Sequence, residues 1–310
     1  MTTSLPGVRK AAVVALTAGA LLSVPVLAAP AQAATAPTVT GKGAFLLNDA
    51  TGATVFGKAA DTRRPMASTT KIMTAAVVLS TKGVDLNRKV TVKQAYRDYV
   101  TKQGSSTADL QTGDKLTVRQ LLYGTLLPSG CDAAYALADA FGTGSTNAAR
   151  TKSFIAKMNA KAKELKLTNT KFDSFDGVST SKDNYTTPRD LAKIAQYAMK
   201  DTNFRTVVKA TSYKGTAPTT KGGNRTYTWY NTNKLLGSYT GAIGIKTGTT
   251  TPAGPCLVFA ATRGGKTLIG VVLSGTDRYK DAAKMLDYGF GTTTAKTMQL
   301  RSLPSAAQRD

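Results

Sequence analysis

The sequence predicts an α/β (α+β) fold in which a sheet domain is assembled from both ends of the chain and an all-helical domain is inserted between them. Three observations carry this. Two short apolar segments joined by a turn signal stand just after residue 40; the stretch from about residue 68 to 200 is mostly helical in pattern; strand-forming segments then return and a helix follows them. Strands, then helices, then strands again read as an α+β arrangement with an insertion, since no repeat or low-complexity linker separates the parts.

In order, residues 44–48 and 53–58 flank Asp49-Ala50-Thr51-Gly52 and read as a β-hairpin. After Pro65 the run Met66-Ala67-Ser68-Thr69-Thr70-Lys71-Ile72-Met73-Thr74-Ala75-Ala76-Val77-Val78-Leu79 is apolar or small on nearly every face, which marks a buried helix. Thr117-Val118-Arg119-Gln120 is a capping box for a helix through Leu127, which Pro128 ends. Residues 131–141 and 153–166 continue the helical pattern, and Thr187 followed by Pro188 starts another helix to Lys200. Strand character returns at 227–230 and continues at 242–249, 256–263 and 267–274, before a helix over 281–289. The expected division is 34–62 plus 205–290 for the sheet domain and 63–204 for the helical domain, with 291–310 as a short polar tail.

The first 33 residues have a separate logic. Val8-Arg9-Lys10 is basic, residues 11–27 are apolar, and Ala31-Gln32-Ala33 is a small-residue cleavage site, so 1–33 reads as a secretory signal peptide removed after about Ala33. No later stretch approaches the roughly 18 consecutive apolar residues of a membrane span. The expected product is secreted, extracellular or cell-wall associated. Lys+Arg 41 against Asp+Glu 18 gives +23, and removal of Arg9 and Lys10 leaves 39 − 18 = +21. Such a charge draws polyanions. For an exported chain with few aromatics among its lysines, anionic cell-wall polymers or a membrane surface are the expected partners and nucleic acid is not; a solvated basic surface without a specific partner is the alternative. The two cysteines, Cys131 and Cys256, could form one disulfide in an oxidising compartment. A bridge would obstruct a cleft near both, so free thiols are expected.

The chain contains no histidine, so a serine nucleophile must lose its proton to another group. Ser68 and Lys71 are three residues apart, hence neighbours on the first helical turn. A lysine serves as base when burial and a second cation disfavour its charged form. Alone, Ser-x-x-Lys is a weak signal. Two further elements stand in order behind it: Pro128-Ser129-Gly130-Cys131 and Lys246-Thr247-Gly248-Thr249. Elements of the S-x-x-K, S-D-N and K-T-G kind together mark penicillin-binding proteins and class A β-lactamases. With Gly113-Asp114-Lys115-Leu116-Thr117-Val118, Asn231-Thr232-Asn233-Lys234-Leu235-Leu236 and Cys256-Leu257-Val258, the chain resembles the low-molecular-weight penicillin-binding proteins, the serine DD-peptidases, over roughly residues 40–290. The exported actinomycete DD-transpeptidases, which share a Ser-Gly-Cys second element, are the most similar subset.

The resemblance implies a β-lactamase/transpeptidase-like fold, an antiparallel sheet flanked by helices with the site in the cleft beside the helical lobe. It implies an exported D-Ala-D-Ala carboxypeptidase or transpeptidase that acts on peptidoglycan stem peptides and is acylated by β-lactam antibiotics. Ser68 would be the nucleophile, Lys71 the acylation base and Ser129 a proton relay. Lys246, Thr247 and Thr249 would receive the substrate carboxylate, Gly248 would let the strand approach the substrate, and the backbone N–H groups of Ser68 and Thr249 would form the oxyanion hole. No metal or cofactor is called for, and a monomer is expected. Cys131 departs from the usual asparagine, since a thiol is a weak donor and weak acceptor. A serine β-lactamase is the competing enzyme. Its deacylating glutamate would have to be Glu164, whose spacing to Asn169 does not fit E-x-x-L-N. A catalytically silent wall-binding relative is the non-enzymatic alternative.

Overall fold

Continuous apolar runs need cover on both faces, and the strands of this protein receive it. The computed structural model describes residues 1–5, 7, 8, 10–12, 35–179, 181 and 183–307. Most of the expected signal peptide lies outside the described residues. The chain opens with β1 (Gly43–Asn48) and β2 (Thr54–Lys58), the expected hairpin. Next come β3 (Arg64–Pro65), a 3-10 turn (Ala67–Thr70) and α1 (Lys71–Leu79). The helical region continues through β4 (Lys89–Thr91), α2 (Gln94–Gln103), β5 (Lys115–Thr117), α3 (Val118–Leu126), α4 (Cys131–Phe141) and α5 (Asn147–Glu164). It ends with β6 (Tyr185–Thr186), α6 (Pro188–Ala198) and α7 (Thr202–Lys209). A hairpin of β7 (Ser212–Pro218) and β8 (Asn224–Tyr230) leads to β9 (Ala242–Thr250), β10 (Gly254–Arg263), β11 (Lys266–Leu273) and α8 (Arg278–Phe290).

Five strands form one antiparallel sheet in the order β2-β1-β11-β10-β9, which leaves β9 at an edge. The two-residue period of a strand sorts its side chains into two cores. Phe45, Leu47, Val258, Ala260, Ile269 and Val271 join the core that contains α1, α4 and α6. Ala44, Leu46, Leu257, Phe259, Leu268 and Val272 face the other way, against Ala282, Met285 and Leu286 of α8. The helices therefore cover both faces. Every residue of α1 from Lys71 to Val78 is buried, and the helix packs against α3, α4, α5, α6 and α7.

The caps sit where the sequence puts them. Thr117 accepts from the Gln120 amide while the Gln120 side chain accepts from the Thr117 amide, and Thr187 caps α6 with Pro188 at its start. Elsewhere the structure differs. Helix α5 starts at Asn147 rather than 153, because Thr146 caps the Ala149 amide. Strand β7 alternates exposed Ser212, Lys214 and Thr216 with half-buried Tyr213 and Gly215 and buried Ala217, a weak apolar face, and Tyr213 stacks on Tyr123 and Trp229. The short polar tail is tied at its start: Asp287 of α8 accepts from Thr292 Oγ1 and from the Ala295 amide, each at 2.6 Å. Among the described residues no helix is long and apolar enough to cross a membrane.

One buried carboxylate ties the segment before β1 to the first turn of α8. Asp281 accepts from Thr40 N at 2.9 Å, Thr40 Oγ1 at 2.7 Å and Gly41 N at 2.9 Å. Asp281→Asn replaces one acceptor oxygen by a donor that faces those groups, and is expected to cost about 3 kcal/mol. The check is a lowered urea midpoint at unchanged slope; an unchanged midpoint would show that this clasp does not hold the sheet to α8.

Candidate active site

Ser68 stands in the 3-10 turn that feeds α1, with Ala67, Thr69 and Thr70 buried around it. Thr69 and Thr70 turn their hydroxyls back to the carbonyls of Met66 and Ala67, which fixes the turn. Lys71, one turn further, is fully buried, and its amine has four acceptors. Its Nζ donates to Ser68 Oγ at 2.9 Å, Asp176 O at 3.0 Å, Cys131 Sγ at 3.3 Å and Ser129 Oγ at 3.5 Å.

Ser129 comes from the loop between α3 and α4 and is buried in the left-handed backbone region, at φ +67°. That conformation costs a non-glycine residue on the order of 1–2 kcal/mol and persists because the loop is pinned. The Gly130 amide donates to Gly124 O at 2.9 Å, the Cys131 amide to Ser106 O at 2.8 Å, and Ser106 Oγ to Ser129 O at 2.7 Å. Asp132 at the next position accepts from the amides of Ala108 and Leu110. Cys131 and Cys256 are both free and buried, as expected. Burial, with the Asp176 carboxylate beside it, pushes the Cys131 thiol up to about 11, so it stays protonated near neutral pH and is a poor nucleophile.

Lys246, Thr247, Gly248 and Thr249 lie on the edge strand β9. Lys246 is buried and its Nζ donates to Thr247 O at 3.0 Å. The Thr247 and Thr232 hydroxyls share a hydrogen bond of 2.7 Å. At Gly248 a Cβ would point at the Ser68 turn, 2.8 Å from Ser68 N and 3.0 Å from Thr69 N, so its missing side chain lets the strand lie against the backbone of that turn. Ser68 N and the Gly248 backbone are thereby brought together.

Three other residues serve this site. Arg278 Nη1 donates to Gly248 O at 3.0 Å, Thr249 Oγ1 at 3.0 Å and Cys256 O at 3.1 Å, clasping β9 to β10. Nothing in the sequence marks it, because an arginine at the start of a helix is ordinary. Asp176 offers its carbonyl to Lys71, and its carboxylate is occupied by Ser174 Oγ at 2.7 Å, the Val178 amide at 2.9 Å and the Tyr99 hydroxyl at 2.9 Å. Gly177 follows at φ +95°, where a Cβ would sit 2.0 Å from Ala67 O; only glycine lets this loop lie against the Ser68 turn. Glu164 ends α5 in an exposed pair with Lys161 at 2.7 Å, the solvated helix face that its lysine-rich context predicts.

Residues 30–277 match the peptidase S11 family, described as D-alanyl-D-alanine carboxypeptidase. The chain is 57% identical over 287 residues to a D-alanyl-D-alanine carboxypeptidase of Streptomyces sp. strain K15, with 91% of this chain and 98% of that protein covered. It is 34% identical to D-alanyl-D-alanine carboxypeptidase DacB2 of Mycobacterium tuberculosis, covering 77% of this chain and 78% of that protein. The crystal structure of the Streptomyces K15 DD-transpeptidase superposes with a TM-score of 0.82 at 58% identity, over 83% of this chain and 99% of that one.

The contact of β9 with the Ser68 turn gives a sharp expectation. In Gly248→Ala the added methyl meets two backbone amides that cannot swing aside, so acylation by penicillin should fall on the order of 100-fold, and the melting temperature should drop by several degrees because overpacking costs about 1–3 kcal/mol. Near wild-type acylation would show that the strand and the turn are free to separate without harm to the site.

Proposed function

This chain belongs to the peptidase S11 family of D-alanyl-D-alanine carboxypeptidases, and from that membership we propose the following course for its reaction. It is a serine-type enzyme of the D-Ala-D-Ala carboxypeptidase and DD-transpeptidase class, which acts on peptidoglycan peptides and takes β-lactams as covalent inhibitors. One observation carries the assignment of residues: a fully buried Lys71 amine 2.9 Å from Ser68 Oγ in a chain without histidine.

Ser68 Oγ attacks the carbonyl carbon between the two terminal D-alanines while Lys71 Nζ takes its proton. The carbonyl oxygen becomes an oxyanion held by the backbone N–H groups of Ser68 and Thr249, an arrangement supported by the packing of Gly248 on Ser68 N. Ser129 passes a proton from Lys71 to the departing amine, and its hydroxyl lies 3.5 Å from that lysine. The terminal carboxylate is received by Lys246 with the Thr247 and Thr249 hydroxyls. The remaining acyl group on Ser68 then goes to water or to an acceptor amine. The protein works outside the cytoplasm after removal of residues 1–33, as a monomer whose sheet domain is 34–62 with 205–290 and whose helical domain is 63–204. With residues 1–33 removed, its net charge of 39 − 18 = +21 favours anionic wall polymers or membrane surfaces at close range.

Labelling with a fluorescent penicillin tests the core of this reading. Ser68→Ala should give no stable adduct while it retains the fold. Lys71→Arg, which keeps the charge but cannot be deprotonated in this range, should acylate on the order of 100- to 10,000-fold more slowly. An adduct mapped by mass spectrometry to Cys131, or fast acylation of Lys71→Arg, would overturn it.

Cys131 bears on the fate of the acyl-enzyme. Its buried thiol cannot hold an attacking water as an amide does, whereas an amine acceptor brings its own binding contacts. The enzyme is therefore expected to favour transfer over hydrolysis, and Cys131→Asn to raise hydrolysis relative to transfer with a smaller change in acylation. The readout is free acid against amine adduct from a diacyl-lysyl-D-alanyl-D-alanine substrate with a fixed glycine-type acceptor. An unchanged ratio would place acceptor choice elsewhere in the cleft.

A further inference from the structure

The segment Asn231-Thr232-Asn233 bridges two parts of the site that no secondary structure joins. The Thr232 amide donates to Leu127 O at 3.1 Å, just ahead of the Ser129 loop, and its hydroxyl shares the 2.7 Å hydrogen bond with Thr247 on β9. The direction of the Thr247 hydroxyl thus depends on where Thr232 stands. Three successive carbonyls of the segment are held from outside. Tyr279 OH donates to Thr232 O at 3.0 Å. Arg301 Nη2 donates to Asn231 O and, at 3.2 Å, to Asn233 O, while the Arg301 amide donates to Ser238 Oγ at 2.8 Å. Arg301 belongs to the tail after α8, beyond residue 277 where the family match ends. Ala295 and Met298 pack that tail against the α8 core, so it reaches the segment along an anchored path.

We infer that Arg301 is a positioning residue for the carboxylate-binding end of the cleft, acting through Asn231-Thr232-Asn233 on the Thr247 hydroxyl. The chain's own tail thereby adjusts recognition of the anionic end of the substrate, at a site the arginine does not touch. This rests on Thr247 being part of the carboxylate receptor. A loose Thr232 would leave the Thr247 hydroxyl free to turn away, which weakens reaction with ligands that carry the carboxylate and spares those that do not.

The experiment compares acylation rates for benzylpenicillin and its methyl ester, which lacks the negative charge, in full-length protein. Arg301→Ala should lower the acid-to-ester rate ratio about tenfold, the scale of a lost charge-assisted hydrogen bond, with the ester rate within about twofold of wild type. Arg301→Lys, which can still donate to these carbonyls, should keep the ratio within about threefold. Arg301→Gln, shorter and uncharged, serves the same comparison if the alanine variant melts early. A ratio unchanged in Arg301→Ala, or both rates falling together, overturns the inference. Thr247→Val separates the two layers. A collapsed ratio there with an intact one in Arg301→Ala removes the inference alone, and an intact ratio in Thr247→Val removes the carboxylate reading and the inference with it.

Discussion

An amine enclosed in protein must be met by acceptors, since an isolated ammonium in apolar surroundings costs on the order of tens of kcal/mol. Lys71 sits on a helix whose other buried faces are almost entirely apolar, so its partners come from elsewhere in the chain. The 3-10 turn brings Ser68, the α3–α4 loop Ser129, the start of α4 Cys131, and a loop 105 residues away the Asp176 carbonyl. Much of the helical region can be understood as the means of delivering these atoms. The Thr74 hydroxyl reaches the carbonyl of Phe175 and holds the Asp176 loop against α1, and Asn184 Nδ2 donates to Thr70 Oγ1 at 2.8 Å.

The edge strand has the complementary problem. A strand that borders a cleft has backbone groups without a sheet neighbour on that side, and it must still be held within a few tenths of an ångström. Here β10 pairs with it on the inner side, Arg278 bonds its carbonyl and hydroxyl, and the Ser68 turn abuts Gly248. Both approaches at the turn, by Gly248 and by Gly177, depend on an absent Cβ. Ser68 is thus gripped from two sides by backbone, which has no rotamers to disorder it.

The order of elements and the serine–lysine pair are legible in the sequence because they rest on local rules: a capping box, a proline at a helix start, a three-residue spacing. Cys131 and the run Lys246-Thr247-Gly248-Thr249 are legible as a combination, and only the fold shows them beside one another. What stays hidden is non-local. Asp176 is one carboxylate among many, and its role uses the backbone carbonyl, which every residue possesses. Arg278 and Arg301 act through guanidinium contacts to backbone oxygen, which leave no pattern in the residues they hold. Strand β7 escapes because its inward face is Tyr213, Gly215 and Ala217, of which only Ala217 is a buried apolar side chain, and its place is set by pairing with β8 and by ring stacking of Tyr213.

The pairing of β1 with β11 sets a timetable for folding. Gly43 lies opposite Leu273 and Asn48 opposite Leu268, so the central contact of the sheet joins segments more than 200 residues apart. During synthesis the first hairpin waits, without its main partner, until nearly the whole chain has been made. The helical region can collapse around α1 earlier, but Ser68 meets β9 only once the chain has been made as far as Ala242–Thr250. Sheets with such distant pairing form slowly, since loop closure precedes any gain from the contact. Catalytic competence is therefore a late event in the life of the chain, and a product cut short before β11 would lack the strand that joins its two ends.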